Sequence, residues 1–518
     1  MTTEPHTIDA DRVGTLWDVI ACHAEARPDA PALRFEGDDT GYAGLLDAAG
    51  RLAGHLDKHG IRAGDRVAFL GRNSDRYVVL LYAVARLGAV LVPLNWRLAA
   101  EEWAFILRDA EAKLLFTDAA FLERASAVAE DTAVCFAGKI PDAADAMAYS
   151  GPLPSADDTV FQVYTSGTTG HPKGVLLSHR NMLALREPGY RAELRWFPRT
   201  QDRSLVILPV AHIAGTAYAL FGLYGGGLVV IAAEFDPALA LDLIAAERIT
   251  HILLAPAAMH QILNYPGAGT TDFTALRYIT YGASPIPEAL LARALATFGC
   301  GFVQMYGMSE AAGGVVALSP EDHVAPGGAL LRSAGRAMPG VEVGILDGNS
   351  NLLAAGDTGE VVVRSEAVMQ GYWRLPDETA RTILPGGWLR SGDVGRIDDG
   401  GYLFILDRVK DMIVSGGENI YPAEVENAIF GHPAVADVAV IGVPSETWGE
   451  EVLAIIVPQP GHEPDLASIV EWTRRSIAGF KVPKRIALTD ELPRNAGNKV
   501  LRRLLREPYW RDLDRRVN

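Results

Sequence analysis

The sequence predicts an α/β protein: a large N-terminal domain of mainly parallel sheets with helices on both faces, a small β-barrel, and a small α+β C-terminal domain. From about residue 60 to residue 310, short apolar strands alternate with helical patterns, which is typical of βαβ units. Beyond residue 340 the strands are shorter and bounded by glycines, as in small antiparallel barrels. A chain of 518 residues also exceeds what one hydrophobic core usually supports, so two or three domains are expected.

In the first region each predicted strand is a short apolar run and each predicted helix has apolar residues at helical spacing. The predicted strands are residues 67–71, 114–117, 204–208, 228–232, 251–254, 278–281 and 302–305. The predicted helices include residues 74–87, 237–246 and 287–298.

The second region contains the strands of the predicted barrel, residues 341–345, 359–364 and 401–406, with a hairpin turn at Asp398-Asp399-Gly400-Gly401. A charged break at residues 407–411 follows. After it, residues 435–443, 451–458 and 465–478 predict a compact unit of about a hundred residues, which is the size of a domain. The predicted organisation is a large domain over residues 1–406 (barrel about 335–406), a hinge at 407–410 and a C-terminal domain over 411–518.

Composition and charge exclude several classes of protein. The chain is 49% hydrophobic and 21% charged, as in ordinary globular proteins, and its net charge of −17 argues against nonspecific nucleic-acid binding. Cys22, Cys135 and Cys300 are too few and too widely spaced for a disulfide framework or a zinc site. Residues 1–6 lack the basic and apolar regions of a signal peptide, so a cytoplasmic location is expected.

Two apolar stretches, residues 78–93 and 217–233, raise the question of a membrane helix. The first contains Arg86, and the second contains four glycines and ends before Glu234. Neither is a clean run of about 20 residues, so buried helix–turn–strand units are expected instead. No transmembrane segment is predicted, and peripheral membrane contact stays an open alternative.

The most informative stretch is residues 164–174, which read Tyr-Thr-Ser-Gly-Thr-Thr-Gly-His-Pro-Lys-Gly. They follow the apolar run 160–163 and therefore form a loop that leaves a strand. Glycines let backbone N–H groups converge on an anion, and the hydroxyls and the ammonium add further donors. The spacing is not that of the P-loop of nucleoside triphosphatases. The loop is interpreted as a phosphate-binding loop of another kind rather than a mobile linker.

Further segments of turn-like or charged residues accompany this loop, and each has an ordinary structural explanation when it is taken singly. They are residues 208–215 around His212, residues 306–310 (Tyr-Gly-Met-Ser-Glu), residues 391–393 (Ser-Gly-Asp), residues 407–426 with Gly416 and Gly417, and residues 493–499 (Pro-Arg-Asn-Ala-Gly-Asn-Lys).

Together and in this order, the segments resemble the adenylate-forming superfamily of acyl- and aryl-CoA synthetases, carrier-protein-loading adenylation domains and firefly-type luciferases. The resemblance covers about residues 15–507, and residues 306–314 and 413–426 look most like fatty-acyl-CoA ligases. It implies an ATP-dependent acid–thiol ligase that converts a carboxylic acid to acyl-AMP with release of pyrophosphate. The acyl group would then pass to the thiol of CoA. A homodimer stays an open alternative.

The resemblance also implies how ATP would be held. The residues that would bind the β- and γ-phosphates are Thr165, Ser166, Gly167, Thr168, Thr169, Gly170 and Lys173. The resemblance places adenine against Tyr306 and Gly307, with Gly282, Ala283 and Ser284 as the opposite wall. It assigns the α-phosphate to Ser309 and the ribose to Asp393, with Arg408 nearby.

The same resemblance implies that Mg²⁺ is bound by Glu310, with Thr165 as a second hard-oxygen ligand. It also implies that Lys499 promotes adenylation, because a positioned ammonium stabilises the charge that gathers on the α-phosphate. No general base is needed, since the attacking carboxylate is already ionised. The family usually has glycine directly before this lysine, whereas this chain has Asn498. Asparagine tolerates left-handed backbone conformations better than most residues, so the loop is expected to survive.

In the family, the small domain rotates after adenylation. Lys410 corresponds to the hinge, and Gly416 and Gly417 would line the passage for the pantetheine arm of CoA. Arg475, Lys481 and Lys484 are candidates for the CoA phosphates, and an ordinary solvated basic face explains them equally well. His212 corresponds to a side chain that gates the acyl tunnel.

The substrate acid is expected to be apolar. No acidic residue lies between Leu205 and Ala233, so nothing there would pair with the ammonium of an amino acid. A medium- or long-chain fatty acid is the first expectation and an aryl or cinnamate-type acid the second. Transfer to a carrier-protein thiol and a catalytically silent nucleotide-binding homologue stay open. The small apolar residues expected to line the pocket are Ile213, Ala214, Gly215, Gly282, Ala283, Met308, Ala312 and Gly313.

Overall fold

The computed structural model of the protein describes residues 8–129, 132–136, 146–165, 172–284, 286–324, 326–408, 411–416, 418–445, 447–494 and 500–511. The helices are α1 (Leu16–Ala26), α2 (Tyr42–Lys58), α3 (Asp75–Leu87), α4 (Ala100–Asp109), α5 (Leu122–Val128), α6 (His179–Leu183), α7 (Arg186–Arg191), α8 (Ile213–Tyr224), α9 (Pro237–Ala246), α10 (Pro256–Asn264), α11 (Glu288–Phe298), α12 (Pro320–His323), α13 (Pro376–Thr382), α14 (Pro422–Phe430), α15 (Leu466–Thr473) and α16 (Arg502–Trp510).

The strands in the first part of the chain are β1 (Pro31–Phe35), β2 (Asp38–Gly41), β3 (Arg66–Leu70), β4 (Val90–Leu94), β5 (Ala112–Thr117), β6 (Ala133–Phe136), β7 (Thr159–Thr165), β8 (Lys173–Ser178), β9 (Arg203–Val206), β10 (Leu228–Ile231), β11 (His251–Leu254), β12 (Tyr278–Gly282) and β13 (Gly301–Met308). The remaining strands are β14 (Gly313–Leu318), β15 (Arg336–Ala337), β16 (Glu342–Leu346), β17 (Thr358–Arg364), β18 (Gly371–Tyr372), β19 (Ile383–Leu384), β20 (Trp388–Ile397), β21 (Leu403–Arg408), β22 (Ile413–Ser415), β23 (Glu418–Ile420), β24 (Val435–Ser445), β25 (Gly449–Pro458) and β26 (Arg485–Leu488).

Two large sheets, parallel over most of their width, form the N-terminal domain. The first has the order β18-β8-β7-β4-β3-β5-β6, and the second has the order β15-β14-β13-β12-β11-β9-β10-β1-β2. In the first sheet only β8 and β18 run antiparallel to their neighbours, and in the second β2, β14 and β15 do so. The active-site segments lie at these antiparallel edges, on β7, β8, β18, β13 and the turn that follows β13.

The two sheets share one hydrophobic core. Val67 and Phe69 of β3 belong to the same buried cluster as Val229 and Ile231 of β10, together with helices α1, α2, α3 and α8. The alternate residues of β3, Ala68 and Leu70, belong to a separate cluster on the other face of their sheet. Burial on both faces explains why these strands appear in the sequence as short, continuous apolar runs.

The predicted elements are present, and the strands agree within three residues at each end. β11 and α9 begin and end at the predicted residues, while β13 extends to Met308, three residues further than predicted. The two apolar stretches at residues 78–93 and 217–233 are helix–turn–strand units, α3 with β4 and α8 with β10. Across the described residues, no helix is both long enough and apolar enough to span a bilayer.

The strands predicted as a barrel form an antiparallel sheet in the order β16-β17-β20-β19, with β21 also paired to β20. The predicted hairpin turn joins β20 to β21, where Gly401 donates to the Asp398 carbonyl at 2.9 Å and has φ +78°. β21 continues to Arg408, which pairs with Asp393, so the sheet extends two residues into the segment predicted as the hinge.

The C-terminal part is an α+β unit with the sheet order β23-β22-β25-β24 and β26 beside β25. It has its own buried clusters, one of which contains Ile413, Val425 and Ile469. A hydrogen bond connects it to the preceding sheet: the buried carboxylate of Asp407 accepts from the N–H of Ala423, in the first turn of α14, at 2.8 Å. The carboxylate thus satisfies an N–H group that has no partner within the helix.

Candidate active site

The phosphate-binding loop predicted from the sequence connects two paired strands. β7 and β8 are antiparallel, and Thr165 lies directly opposite Lys173. Ser166, Gly167, Thr168, Thr169 and Gly170 lie outside the described residues, so their predicted roles stay predictions. The pairing of Thr165 with Lys173 holds the two ends of the loop side by side at the edge of the sheet.

Lys173 is buried, and its ammonium forms an ion pair with Glu378 of α13. The ammonium also lies 5.2 Å from the centre of the Tyr372 ring, which is within cation–π range. Lys173, followed by Arg381, holds the pKa of the Glu378 carboxyl below its usual value. The lysine that is predicted to bind phosphate is therefore paired with a carboxylate, which a bound phosphate would have to replace.

Glu310, the predicted metal ligand, is connected to Lys173 through Tyr372. The Tyr372 hydroxyl donates to Oε1 of Glu310 at 3.0 Å. Burial, and after it the Glu310 charge, raises the pKa of Tyr372, so the phenol stays protonated and can donate. Glu310, Tyr372, Lys173 and Glu378 thus form a continuous row, in which the Tyr372 ring lies between the Glu310 carboxylate and the ion pair of Lys173 with Glu378.

The segment around β18 positions this row. Met369 donates its N–H to the carbonyl of Glu310 at 2.8 Å, and Trp373 donates its N–H to the carbonyl of Gly174 at 2.7 Å. This segment therefore bridges the Glu310 turn and β8. Neither Tyr372 nor Glu378 is predicted from the sequence. The run Gly371-Tyr372-Trp373, a glycine followed by two aromatic residues, was the available signal.

The residues predicted to bind the nucleoside meet at the end of β13. The Tyr306 hydroxyl donates to Oδ2 of Asp393 at 2.7 Å, so the residues predicted to bind adenine and ribose are in direct contact. Asp393 is buried on β20 and pairs with the backbone of Arg408. The Arg408 side chain lies outside the part of the structure that is described.

Two glycines at this position have no room for a side chain. A Cβ on Gly282 would lie 2.3 Å from the Met305 carbonyl oxygen, and one on Gly307 would lie 1.8 Å from the Gly313 carbonyl oxygen. Beside Gly282, Ala283 adopts φ 67° and is exposed, as is Ser284. The strands therefore pack closely at these two glycines, and the exposed small residues Ala283 and Ser284 follow Gly282.

The predicted acid pocket lies where α8 approaches the turn after Glu310. His212 is the N-cap of α8, and its Nδ1 accepts from the Ala214 N–H at 3.3 Å. Ala217, one turn into the helix, faces Gly313, because its Cβ would be 3.7 Å from a side chain added there. Ser309 and Glu310 lie in the 3₁₀ turn Ser309–Ala311, directly before β14. The predicted acid pocket and the predicted metal ligand are therefore contiguous.

The donor set fits Mg²⁺. Glu310 supplies a carboxylate and Thr165 a hydroxyl, which are hard oxygen ligands. Within the described ranges, no group of three or more His, Cys, Asp or Glu side chains could hold a metal ion. A cation held by one or two protein oxygens and by substrate phosphates is the arrangement that Mg²⁺ commonly adopts.

The CoA-side assignments concern the C-terminal unit. Gly416 is exposed, and its N–H donates to the carbonyl of Trp448 at 2.8 Å. Lys481 donates to both carboxylate oxygens of Glu424 at 2.7 Å, so a CoA phosphate would have to compete with this ion pair. Lys410, Gly417 and Lys499 lie outside the described residues, and their roles stay predictions.

Comparisons with known proteins match both parts of the chain to described families. Residues 20–373 match the family described as AMP-binding enzyme, and residues 424–499 match the AMP-binding enzyme C-terminal domain. The fatty acid–[acyl-carrier-protein] ligase ScoC of Streptomyces coeruleorubidus is 41% identical over 97% of this chain and 98% of its own. A feruloyl-CoA synthase of an Amycolatopsis species is 38% identical over 94% of this chain and 97% of its own.

A solved structure of similar architecture is the ATP-bound MatB of Rhodopseudomonas palustris. It is 31% identical, has a TM-score of 0.87, and the match covers 96% of this chain and 100% of that one. Two family models and full-length relatives thus cover the large domain, the C-terminal unit and the segments that build the site. The chain belongs to the AMP-binding enzyme family and is an AMP-forming acid–thiol ligase.

Proposed function

We propose that the enzyme activates a medium- or long-chain fatty acid to acyl-AMP, releases pyrophosphate, and transfers the acyl group to the thiol of CoA. The observation that carries the proposal is the apolar, small-residue junction between α8 and the turn after Glu310, where Ala217 faces Gly313. Glycine and alanine leave volume beside the reacting carboxylate. Each buried CH₂ group of an acyl chain contributes about 0.8 kcal/mol, so such a pocket can select by chain length.

In this proposal the chain's own residues bind and orient the reactants. Thr165 and Lys173 hold the pyrophosphate side of ATP, and Asp393 binds the ribose. Lys499 stabilises the negative charge that gathers on the α-phosphate as the carboxylate attacks. Mg²⁺, bound through Glu310 and Thr165, would neutralise further phosphate charge. Because the attacking carboxylate is already ionised, no residue has to remove a proton.

A pyrophosphate-release screen over straight-chain acids of increasing length, run with and without CoA, tests the proposal. We expect release to peak at one chain length and to depend on ATP, and CoA to accelerate turnover. The Lys499→Ala variant should lose acyl-AMP formation while it still binds ATP. Undiminished acyl-AMP formation by this variant would contradict the assignment of Lys499.

A carrier-protein acceptor is the second candidate, favoured by the 41% identity to a ligase whose acceptor is an acyl carrier protein. It predicts pyrophosphate release with little dependence on free CoA. A phosphopantetheinylated carrier protein in place of CoA in the same assay separates the two candidates. Similarity to a feruloyl-CoA synthase likewise favours adding cinnamate-type acids to the screen.

The proposed rotation of the C-terminal unit about Lys410 has its own test. Proline at this position fixes φ and restricts the preceding residue, so it should hinder the second step. We expect Lys410→Pro to form acyl-AMP but to transfer the acyl group from supplied acyl-AMP to CoA slowly. The opposite pattern, in which adenylation is blocked and transfer is spared, would mean that Lys410 is not the hinge.

A further inference from the structure

A partly buried tyrosine lies at the start of the predicted phosphate-binding loop. Tyr164 is the residue of β7 directly before Thr165, and it pairs with Gly174 of β8. Its hydroxyl donates to Oδ2 of Asp109 at 2.6 Å and accepts from Nε2 of Gln162 at 2.9 Å. The side chain thus connects the strand that leads into the loop with the end of helix α4.

The same helix end also holds the residue that follows β18. The indole N–H of Trp373 donates to the carbonyl of Asp109 at 2.7 Å, and its backbone N–H donates to the carbonyl of Gly174. In the sheet, β7 and β18 flank β8, whose first residue is Lys173. Asp109 therefore contacts the segments on both sides of the strand that carries this lysine.

Arg66 of β3 completes the set of contacts. Its guanidinium lies 3.7 Å from the centre of the Trp373 ring, and its Nε donates to Oε1 of Gln162 at 3.2 Å. Gln162 is fully buried, and its two polar side-chain atoms contact Arg66 and Tyr164. Arg66, Asp109, Gln162, Tyr164 and Trp373 thus form a closed ring of contacts, which we call the Tyr164 cluster.

Gly174 makes room for this cluster. A Cβ on Gly174 would lie 2.8 Å from Nε2 of Gln162 and 3.2 Å from Cζ of Tyr164. Gly174 lies within β8 and is not among the glycines with positive φ, so its backbone conformation does not require glycine. The last glycine of the stretch 164–174 is therefore explained by the packing of Tyr164 and Gln162 over it.

Asp109 occupies an electrostatically unfavourable position. It is the last residue of α4, where the helix dipole places partial negative charge, so a carboxylate there is destabilising. The hydrogen bond that it accepts from Tyr164 is short and charge-assisted. Burial, and after it the bond to Asp109, raises the pKa of Tyr164, so the phenol stays protonated and donates. This placement favours a role in the site over a role in stability.

We propose that Tyr164 is a positioning residue for ATP: anchored on Asp109, it fixes the strand ends that carry Thr165 and Lys173. This inference rests on the proposed function, in which those two residues hold the pyrophosphate side of ATP. Donors bind a phosphate well only when they converge on it, so a small shift of the strand end weakens their contacts together.

A purely structural role is the alternative, in which the Tyr164 cluster only joins α4 to the sheet. Such a role lowers the free energy of unfolding and favours neither substrate over the other. A positioning role weakens binding of ATP and pyrophosphate. It leaves the KM for the acid in place, because the predicted acid pocket lies between α8 and the turn after Glu310.

The test measures the Kd of ATP by calorimetry and the KM for the best acid of the pyrophosphate-release screen. Tyr164→Phe keeps the ring and loses the hydrogen bond to a charged group, so the Kd of ATP should rise about fivefold or more. The KM for the acid should not change. Asp109→Ala removes the acceptor and should match Tyr164→Phe. Asp109→Asn keeps an acceptor for the hydroxyl, so it should restore ATP binding without loss of stability.

Tyr42→Phe is the matched control. The buried hydroxyl of Tyr42 donates to the carbonyl of Gly227 at 2.9 Å, so its loss should lower stability and leave the Kd of ATP unchanged. Thermal unfolding checks that each variant is folded, and Asp109→Ala serves if Tyr164→Phe does not fold.

An unchanged Kd of ATP in a folded Tyr164→Phe variant overturns the inference, and so does an equal rise in the KM for the acid. Titration with ATP requires no acid, so these outcomes are distinct from failure of the proposed function. That failure would be the absence of acid-dependent pyrophosphate release by the wild type.

Discussion

Tyr372 donates a hydrogen bond to the carboxylate of Glu310 at 3.0 Å while its ring lies 5.2 Å from the ammonium of Lys173. One side chain therefore contacts both the residue assigned to the metal and the residue assigned to the phosphates. The hydroxyl orients the carboxylate, and the ring stabilises the cation. Tyr372 therefore links the two halves of the predicted phosphate site.

The first prediction separates these two contacts. Tyr372→Phe removes the hydrogen bond to Glu310 and keeps the ring. A hydrogen bond to a charged group contributes about 1.5–3 kcal/mol, so adenylation should slow about tenfold and half-saturation by Mg²⁺ should move to higher concentration. Tyr372→Leu removes both contacts and should be more severe. Pyrophosphate exchange at varied Mg²⁺ measures both effects, and an unchanged Mg²⁺ dependence in Tyr372→Phe would contradict this role.

The second prediction concerns the ion pair between Lys173 and Glu378. Glu378→Gln removes the charge that ATP must displace, so the KM for ATP should fall. We expect a fall of about threefold or more, which corresponds to the free energy of a partly exposed ion pair. Arg381→Gln is the matched control. Arg381 contacts the other oxygen of Glu378 at 2.9 Å, and its loss leaves the lysine contact in place. If both variants change KM equally, Glu378 does not act through Lys173.

The third prediction concerns the pH dependence of stability. Burial lowers the pKa of His179 from 6.5 to about 4, and its Nδ1 accepts from the Leu16 N–H at 3.2 Å, which requires a neutral ring. Between pH 6.5 and about 4 the unfolded chain therefore binds a proton that the folded chain does not. The free energy of unfolding falls as pH falls through this window, by about 1.4 kcal/mol per pH unit from this residue.

Urea unfolding at several pH values checks this prediction. His179→Gln should flatten the dependence, and His251→Gln should do the same, because burial lowers the pKa of His251 to about 4 as well. Equal slopes for the wild type and both variants would show that these histidines do not control the acid response.

The fourth prediction concerns the close packing of β12 against β13 at the predicted adenine site. A Cβ at Gly282 would lie 2.3 Å from the Met305 carbonyl oxygen, so Gly282→Ala must displace β12 from β13 and should abolish adenylation. Gly269→Ala is the control, because Gly269 has no heavy atom within 4 Å of an added Cβ. The control should retain full activity and thermal stability. A Gly282→Ala variant that is active and as stable as the wild type would contradict this close packing at the predicted adenine site.

Much of the fold could be predicted from the sequence, because strands buried on both faces give short apolar runs that local pattern reveals. β11 and α9 were located to the residue. The family resemblance likewise found Tyr306 and Asp393, which are in contact in the structure. Their individual roles stay predictions.

The contacts that position the site could not be found in this way. Tyr372 is 62 residues from Glu310 and Glu378 is 205 residues from Lys173. Local periodicity contains no information about pairing across such separations.

The hydrogen bond from Ala423 to Asp407 has a consequence for turnover. Asp407 belongs to the last strand of the large domain, and Ala423 lies in the first turn of a C-terminal helix, on the other side of the proposed hinge. A rotation about that hinge that separates the two groups would give up a charge-assisted contact of about 1.5–3 kcal/mol. The described arrangement would then be favoured about tenfold to a hundredfold by this contact alone. The hydrogen bond between Ala423 and Asp407 would therefore have to break and form again once in every catalytic cycle.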